Sequence, residues 1–366
     1  MNYQFWKKSK KDSSKVKKSV TREWFDAIIF AVVAATIIRG LFIEAFTIPT
    51  GSMEKSLLIG DFLFVSKVNY GARTPITPLS FPFAHHTMPI IGTKAYSEAI
   101  KLPYYRLPGL SKIKNNDVVV FNYPMEDFRP TDKKENYIKR CIGIGGDTLK
   151  IVNGLVSING KVVNLPEFGQ MTYLVKTDGS GFNPKVMNDL KIQGAKLNME
   201  GDYMLNLTAS NEEKIKKFAN VKAIQPELNA PGSSGNEVYP FDAKLNWTRD
   251  NYGPILIPRK GETIQLNLSN IEIYKRPIEA YEGKNKVEIA SGEILINGKR
   301  VESYTFRQDY FWMMGDNRHF SSDSRYWGFV PEDHIVGKAL FVWMSWDTDG
   351  TFLSKVRWNR LLMGIR

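Results

Sequence analysis

The stretch WFDAIIFAVVAATIIRGLFIEAF, Trp24 to Phe46, constrains the chain more than any other, because a helix that belongs in lipid fixes which side of a membrane the rest occupies. As a helix it would be about 34 Å long at 1.5 Å per residue, against a hydrocarbon core of about 30 Å. Its uncharged part, Ala27 to Ile38, has twelve residues. Asp26 and Arg39 therefore sit near the two interfaces, with Arg39 reaching back toward water. Residues 1–23 carry eight Lys/Arg against Asp12 and Glu23, a net +6 that is half of the total +12. A basic flank of this kind stays in the cytoplasm. A cleaved signal peptide also has a basic start and a short apolar core. Against it, the run continues past Arg39 into GLFIEAF with no polar cleavage region.

The expectation is a basic cytoplasmic tail at 1–23 and a single signal anchor at 24–45. Everything beyond about residue 46 then lies on the outer, periplasmic side of the cytoplasmic (inner) membrane. No second hydrophobic run is long enough to span. Once the tail is set aside the remaining positive charge is thinly spread, and no zinc-finger, RNA-binding or helix-turn-helix pattern accompanies it. Nucleic acid is not an expected partner; the lipid bilayer is. One cysteine, Cys141, excludes an internal disulfide framework and a cysteine zinc site.

After the anchor the chain reads as mostly β. SLLIGDFLFVSKV, NNDVVVFNY, NYIKRCIGI, DTLKIVNGLVSING and KALFVWMSW are short, rich in β-branched and aromatic residues, and bounded by Gly, Asn and Asp. Residues 71–113, rich in proline and aromatics, read as a long loop with one short helix. NGLVSINGKVV at Asn153 to Val163 echoes SGEILINGKRV at Ser291 to Val301, each a strand, an Asn-Gly turn and a strand. The echo is either chance or a sign that an insertion copies the strand pattern around it. The expected organisation is a catalytic β domain at 46–165 and 286–348, interrupted by a β-rich inserted subdomain at 166–285. Within the insertion SNEEKIKKFANV reads as helix and NAPGSSGNEV as loop. The segment 349–366 is a basic amphipathic tail. Its Trp358, Leu361, Leu362 and Ile365 stand at helical spacing, which suits a helix lying on a membrane or one packed on the domain.

The stretch IPTGSMEKSLLIGDF places Ser52 in a Gly-Ser turn just after the anchor. A serine hydroxyl is a weak nucleophile until a base takes its proton. Histidine is the usual base, and the chain has four: His85, His86, His319 and His334. But PTGSME lacks the G-x-S-x-G elbow, and the strand-rich pattern disagrees with the fold that carries it. The other candidate is a lysine kept neutral by burial. Lys139 in NYIKRCIGIGGD fits, on an apolar strand that puts Tyr137, Lys139 and Cys141 on one face. A third stretch, FWMMGDNRHFSSDSRYWGFVPEDHIVGKA, crowds Asp316, Asn317, Arg318, Ser321, Asp323 and Arg325 between apolar strands. Such a cluster is either a solvated loop or a paired network that orients a buried group.

Together these stretches closely resemble the bacterial type I signal peptidase (leader peptidase) family. They appear here as PTGSMEKSLLIGDFLFVSK, YIKRCIGIGGDTL and MMGDNRHFSSDSRYWGFVP, with NNDVVVF carrying Asn116 where glycine is usual. The resemblance implies a single N-terminal transmembrane helix followed by an extracytoplasmic catalytic domain of coiled antiparallel sheets. It implies a serine endopeptidase with a Ser/Lys dyad, in which Ser52 is the nucleophile and Lys139 the general base. Ser321 would orient the lysine. Thr50 and the N–H of Ser52 would form the oxyanion hole. Asp316 with Arg140, and Asp323 with Arg325, would be structural ion pairs. Ile48 and Ile138 would line small pockets for the −1 and −3 side chains of exported preproteins cleaved after small-X-small sites. No metal and no cofactor are implied. His319 and Phe320 stand where many members have Asp-Asn, Cys141 replaces an aliphatic residue, and the insertion has no counterpart in the minimal family pattern. A soluble self-cleaving repressor would use the same dyad but has no anchor. A non-catalytic scaffold would not need Ser52, Lys139, Thr50 and Ser321 together.

Overall fold

The computed structural model describes residues 19–233, 235–347, 350 and 354–366; residues 1–18 of the expected basic tail lie outside the described residues. Helix α1 spans Val20–Leu41, starts where the Ser19 hydroxyl accepts the N–H of Arg22, and buries none of its side chains. Its 22 residues make it about 33 Å long. Among the described residues it is the one helix long and apolar enough to cross a membrane.

The helix lies nearer the N-terminus than the expected 24–45. Its last expected turn is instead strand, because Ile43–Thr47 finds a pairing partner in Asp61–Ser66. Glu44 clasps this junction, accepting Arg39 at 2.7 Å and Lys67 at 2.8 Å.

In chain order the strands are β1 (Ile43–Thr47), β2 (Asp61–Ser66), β3 (Val118–Asn122), β4 (Asn136–Gly143), β5 (Thr148–Val152), β6 (Leu155–Ile158) and β7 (Lys161–Val163). Then come β8 (Gln170–Thr177), β9 (Gln193–Lys196), β10 (Asp202–Thr208) and β11 (Val221–Pro226). Next are β12 (Tyr252–Leu256), β13 (Thr263–Gln265), β14 (Val287–Ala290), β15 (Glu293–Ile296), β16 (Lys299–Arg300) and β17 (Ser303–Thr305). Last are β18 (Tyr310–Met314), β19 (Val330–Pro331), β20 (Ile335–Ser345) and β21 (Met363–Gly364). The main sheet runs β1-β2-β20-β3-β4-β18-β19, with β21 added beside β20, and all its pairings are antiparallel.

Both faces of this sheet are covered. Ile48, Met53, Leu63 and Val120 pack on one side, and Val119, Phe121, Cys141 and Trp327 on the other. That is why residues 118–121 of β3 and the whole of β18 are continuous apolar runs, with every position of both strands buried, rather than alternating. The β5–β7 meander, β12 to β17 and β18 enclose the largest core, around Leu149, Tyr252, Ile271, Trp312 and Phe329.

The inserted sheet has the order β11-β8-β10-β9 and its own small core of Val175, Leu205, Leu207 and Ile215. The expected block 166–285 is not one unit. Its sheet ends at Pro226, while β12 pairs with β5 and β13 pairs with β17. Ile271, Ile273 and Tyr274 also belong to the largest core. Residues 252–274 are thus built into the main body, because their apolar side chains complete its core.

The echo in the sequence is a repeat of structure. β6–β7 and β15–β16 turn through Asn159-Gly160 and Asn297-Gly298, all four at positive φ near +52°, +78°, +53° and +76°. In each copy the turn asparagine accepts a backbone N–H from the preceding strand region, Thr148 in one and Lys286 in the other.

Two expectations of local structure fail. Residues 71–113 contain no helix. Their prolines cannot donate within one, and three isolated bridges fold the segment on itself while Arg106 ties it to the carbonyls of Gly71 and Ile335. The last residues do not form an amphipathic helix either. Trp358–Arg360 is one 3-10 turn, followed by β21 on β20. Arg360 is drawn under the surface into a two-pronged pair with the buried carboxylate of Asp61, its Nε 3.0 Å from Oδ1. A surface helix would leave that carboxylate unpaired.

Asp61→Ala should strand the Arg360 guanidinium in a buried position and cost about 3–5 kcal/mol, read as a lower denaturation midpoint at unchanged m. Adding Arg360→Ala should recover part of the loss. A single-variant cost below about 1 kcal/mol would show that the pair does not hold the chain end.

Candidate active site

Alternation along β4 decides what its side chains meet. Ile138 turns toward the Ile48 cluster, while Tyr137 and Cys141 pack in the cluster on the opposite face. Lys139 shares that second face, is only 4% exposed, and holds its Nζ 5.4 Å from the centre of the Tyr137 ring. Its Nζ donates to Ser52 Oγ at 2.8 Å and to the Ile138 carbonyl at 3.0 Å. Ser52 occupies the second position of the 3-10 turn Gly51–Met53, where the backbone N–H has no partner within the turn.

The electrostatics move the amine toward its neutral form. Burial lowers the Lys139 pKa from 10.5 to about 8, with the carboxylates of Asp323 and Asp316 pulling the other way. Neither carboxylate is free to hold a lysine proton. Asp316 receives Arg140 Nε at 2.8 Å and Nη2 at 2.6 Å, and Ser56 Oγ at 2.6 Å. Asp323 receives Arg325 Nε at 2.9 Å and Nη2 at 2.8 Å, and the N–H of Gly315 at 3.1 Å. Burial works against ionisation of Asp323, yet Arg325 keeps its carboxyl below the ordinary range. Bidentate pairs of this kind consume the charge that would otherwise raise the lysine.

The segment after β18 clamps the serine loop. The N–H of Asn317 donates to the Ser52 carbonyl at 3.1 Å, and Asn317 Nδ2 donates to the Gly51 carbonyl at 3.0 Å. Gly315 fits between the serine loop and Ser321. A Cβ there would lie 2.2 Å from Ser321 Oγ and 2.5 Å from the Ser52 carbonyl oxygen.

Ser321 is buried beside Ser52 and Lys139, but its hydroxyl makes no hydrogen bond to Lys139. Thr50 is exposed and leaves its side chain unused in capping the turn. Of the two expected pocket residues only Ile138 lines the cleft beside Ser52 and Lys139; Ile48 lies in the core.

All four histidines are committed away from Ser52. His334 bonds Asp333 and Lys134, His85 the Lys134 carbonyl, and His86 pairs with Glu135. His319 Nδ1 accepts the N–H of Thr172 on β8 at 3.3 Å, and its Nε2 faces Asp250 Oδ1 at 3.0 Å. These partners put the ring proton on Nε2. Among the described residues no cluster of three or more His, Cys, Asp or Glu side chains could hold a metal ion. The thiol of Cys141 is buried and pushed well up.

Sequence reasoning gave no role to Asn317 or to the β9–β10 side of the cleft. Asn317 carried a signal, since it sits inside the polar cluster between two apolar strands. Gln193, Gly194, Ala195, Met204 and Asn206 carried none.

A model of the family described as signal peptidase, peptidase S26, matches residues 21–226 and 256–346. Curated relatives include signal peptidase I of Buchnera aphidicola from Acyrthosiphon pisum, 28% identical over 352 residues, covering 95% of this chain and 84% of the relative. Signal peptidase I of Rickettsia typhi is 25% identical and covers 93% of this chain and 88% of its own length. That of Haemophilus influenzae is 24% identical, with 92% and 74% covered. The matched residues include Ser52, Lys139 and the polar cluster after β18; Asp250, the partner of His319, falls in the unmatched interval.

Gly315→Ala should displace the Ser52 carbonyl and lower the rate of Ser52 modification by a serine-directed acylating reagent by about tenfold or more, about 1.4 kcal/mol of barrier. Unchanged labelling in a folded variant would show that the clamp on the serine loop does not set its geometry.

Proposed function

The chain belongs to the type I signal peptidase family, peptidase S26, and from that premise we propose that it is a membrane-anchored serine endopeptidase that removes signal peptides from exported preproteins. The observation that carries the reading is the 2.8 Å hydrogen bond from Lys139 Nζ to Ser52 Oγ, made by a lysine whose pKa is lowered to about 8. In the proposed reaction Ser52 Oγ attacks the scissile carbonyl carbon while Lys139 Nζ takes the hydroxyl proton. The tetrahedral intermediate collapses, the C–N bond breaks, and the ammonium form of Lys139 returns the proton to the departing amine of the mature protein. The acyl group stays on Ser52. A water molecule, deprotonated by Lys139, then attacks the ester, and Ser52 regains its proton as the signal peptide leaves.

In this reading Thr50 Oγ1 and the N–H of Ser52 stabilise the oxyanion, Ser321 orients the amine once its hydroxyl, unbonded to Lys139 here, turns toward it, and the two buried ion pairs keep the site's carboxylates away from Lys139. Cleavage follows small-X-small sites, with Ile138 lining a small apolar pocket. α1 is the anchor, the basic tail is cytoplasmic, and the catalytic body lies on the outer side of the inner membrane.

The pH dependence has a defined sign. The base works only unprotonated, so kcat/KM on a synthetic signal-peptide substrate should rise with pH and level off above about 8. Between 8 and 10.5 the unfolded chain holds the extra proton, so this group's contribution to stability also rises with pH across that window. Ser52→Ala and Lys139→Ala should be inactive. Lys139→Arg should be equally inactive, because arginine does not give up its proton. Cleavage retained in Ser52→Ala or Lys139→Arg would overturn the dyad.

The exposed, unengaged hydroxyl of Thr50 allows a sharper test of the oxyanion assignment. Thr50→Ser should stay active. Thr50→Val keeps the branched shape without the donor and should lower kcat by about 10²–10³ with little change in KM. A near wild-type kcat in Thr50→Val would leave the Ser52 N–H as the remaining donor.

A further inference from the structure

The cleft of about 700 Å³ beside Ser52 is shared between two sheets. One side comes from the serine loop and from Tyr137, Ile138 and Lys139. The other comes from the inserted sheet, through β9 (Gln193, Gly194, Ala195) and β10 (Met204, Asn206). Among the described residues β9 pairs with β10 alone and its outer edge is open, and all four of its residues are exposed. It approaches β10 closely enough that a Cβ on Gly194 would lie 2.3 Å from the Met204 carbonyl oxygen.

The inserted sheet does not hang loosely beside the site. The N–H of Gln170 on β8 donates to the Asp316 carbonyl at 2.8 Å, and His319 bridges Thr172 of β8 to Asp250. Lys55, three residues after the serine, donates to the Lys191 carbonyl just before β9. Next to His319, Phe320 also lines the cleft. Of the two residues that depart from the family's usual Asp-Asn pair, His319 thus touches the insertion and Phe320 lines the cleft.

The lining also has a chemical bias. Among the described residues, Lys139 is the one Asp, Glu, Lys, Arg or His in it. Thr172 Oγ1 donates to Asn206 Oδ1 at 2.8 Å, which leaves the Asn206 Nδ2 group without a hydrogen bond among the described residues.

We propose that the β9–β10 wall reads the substrate residue that lies between the two small ones, position −2, and selects an uncharged side chain there. The proposal rests on the signal-peptidase reading. Along an extended peptide successive side chains point to opposite sides. If −1 and −3 face the Ile138 side, −2 faces the opposite wall, where Gln193, Met204 and Asn206 stand. A charged group entering there loses part of its hydration and meets no ion partner among the β9 and β10 residues that line the cleft. The amide of Asn206 supplies a donor for a peptide carbonyl, and the open edge of β9 can accept an added strand.

The test is a set of signal-peptide substrates that differ only at −2, carrying Ala, Glu or Lys, cleaved by the full-length enzyme. Wild type should cleave the Ala peptide best. Gln193→Glu should raise the ratio of kcat/KM for the Lys peptide over the Glu peptide by roughly fivefold, and Gln193→Lys should lower it by a similar factor, the scale of one partly exposed ion pair. Gln193 is exposed, so both variants should fold, and a ratio within one enzyme cancels any general loss of activity. Ratios that stay at the wild-type value in both variants would overturn the −2 assignment while leaving the dyad intact. Cleavage by Ser52→Ala would instead overturn the reading beneath it.

Discussion

A lysine amine within hydrogen-bonding distance of a serine hydroxyl is useful as a base only if it is neutral, and inside a protein neutrality has to be arranged. Lys139 is sealed between β4 and the serine loop, with an aromatic face on one side. Burial alone would favour the uncharged form, but two carboxylates lie close enough to oppose it. The structure resolves the conflict by giving each carboxylate an arginine. Arg140 comes from the residue after the lysine and points to the other face of the same strand; Arg325 comes from two residues beyond its own aspartate. Much of the polar cluster after β18 follows from that requirement, since a half-paired set of buried charges would cost more than an apolar core.

The same segment performs a second task. Between the two aspartates it holds Asn317 against the carbonyls of Gly51 and Ser52, while Asp316 accepts the hydroxyl of Ser56. Ser52, Lys139 and the charge pairs are therefore parts of one hydrogen-bonded unit. It reaches the inserted sheet through the Asp316 carbonyl and through His319. An insertion that would otherwise be a passenger becomes a boundary of the cleft.

The ends of the chain are treated with the same economy of charge. Glu44 fastens the end of α1 to β1 through Arg39 and Lys67. Asp61, at the start of β2, collects Arg360 and Ser345 and so brings the last residues onto the main sheet. Both anchors lie on or beside the two strands that flank the serine loop, so the loop leaves and re-enters the sheet at fixed points.

The sequence by itself determined the apolar N-terminal helix, the β-rich body, the Asn-Gly hairpins and the three stretches that meet at Ser52 and Lys139. These are written in local periodicity and in residue types that are costly unless used: a lysine on an apolar strand, a knot of charges between apolar runs. Tertiary structure decided the rest. It ended α1 at Leu41 because Ile43–Thr47 had a strand to pair with. It turned an apparent amphipathic helix at the chain end into a turn and a strand because Arg360 had a buried carboxylate to meet. It divided the 166–285 segment between its own sheet and the main core. It also placed Gln193, Met204 and Asn206 across the cleft from Ile138. No local signal could announce that, because residues far apart in the chain line one cleft only when separate sheets are brought together, and a surface strand reads the same in sequence whether it faces open solvent or a cleft.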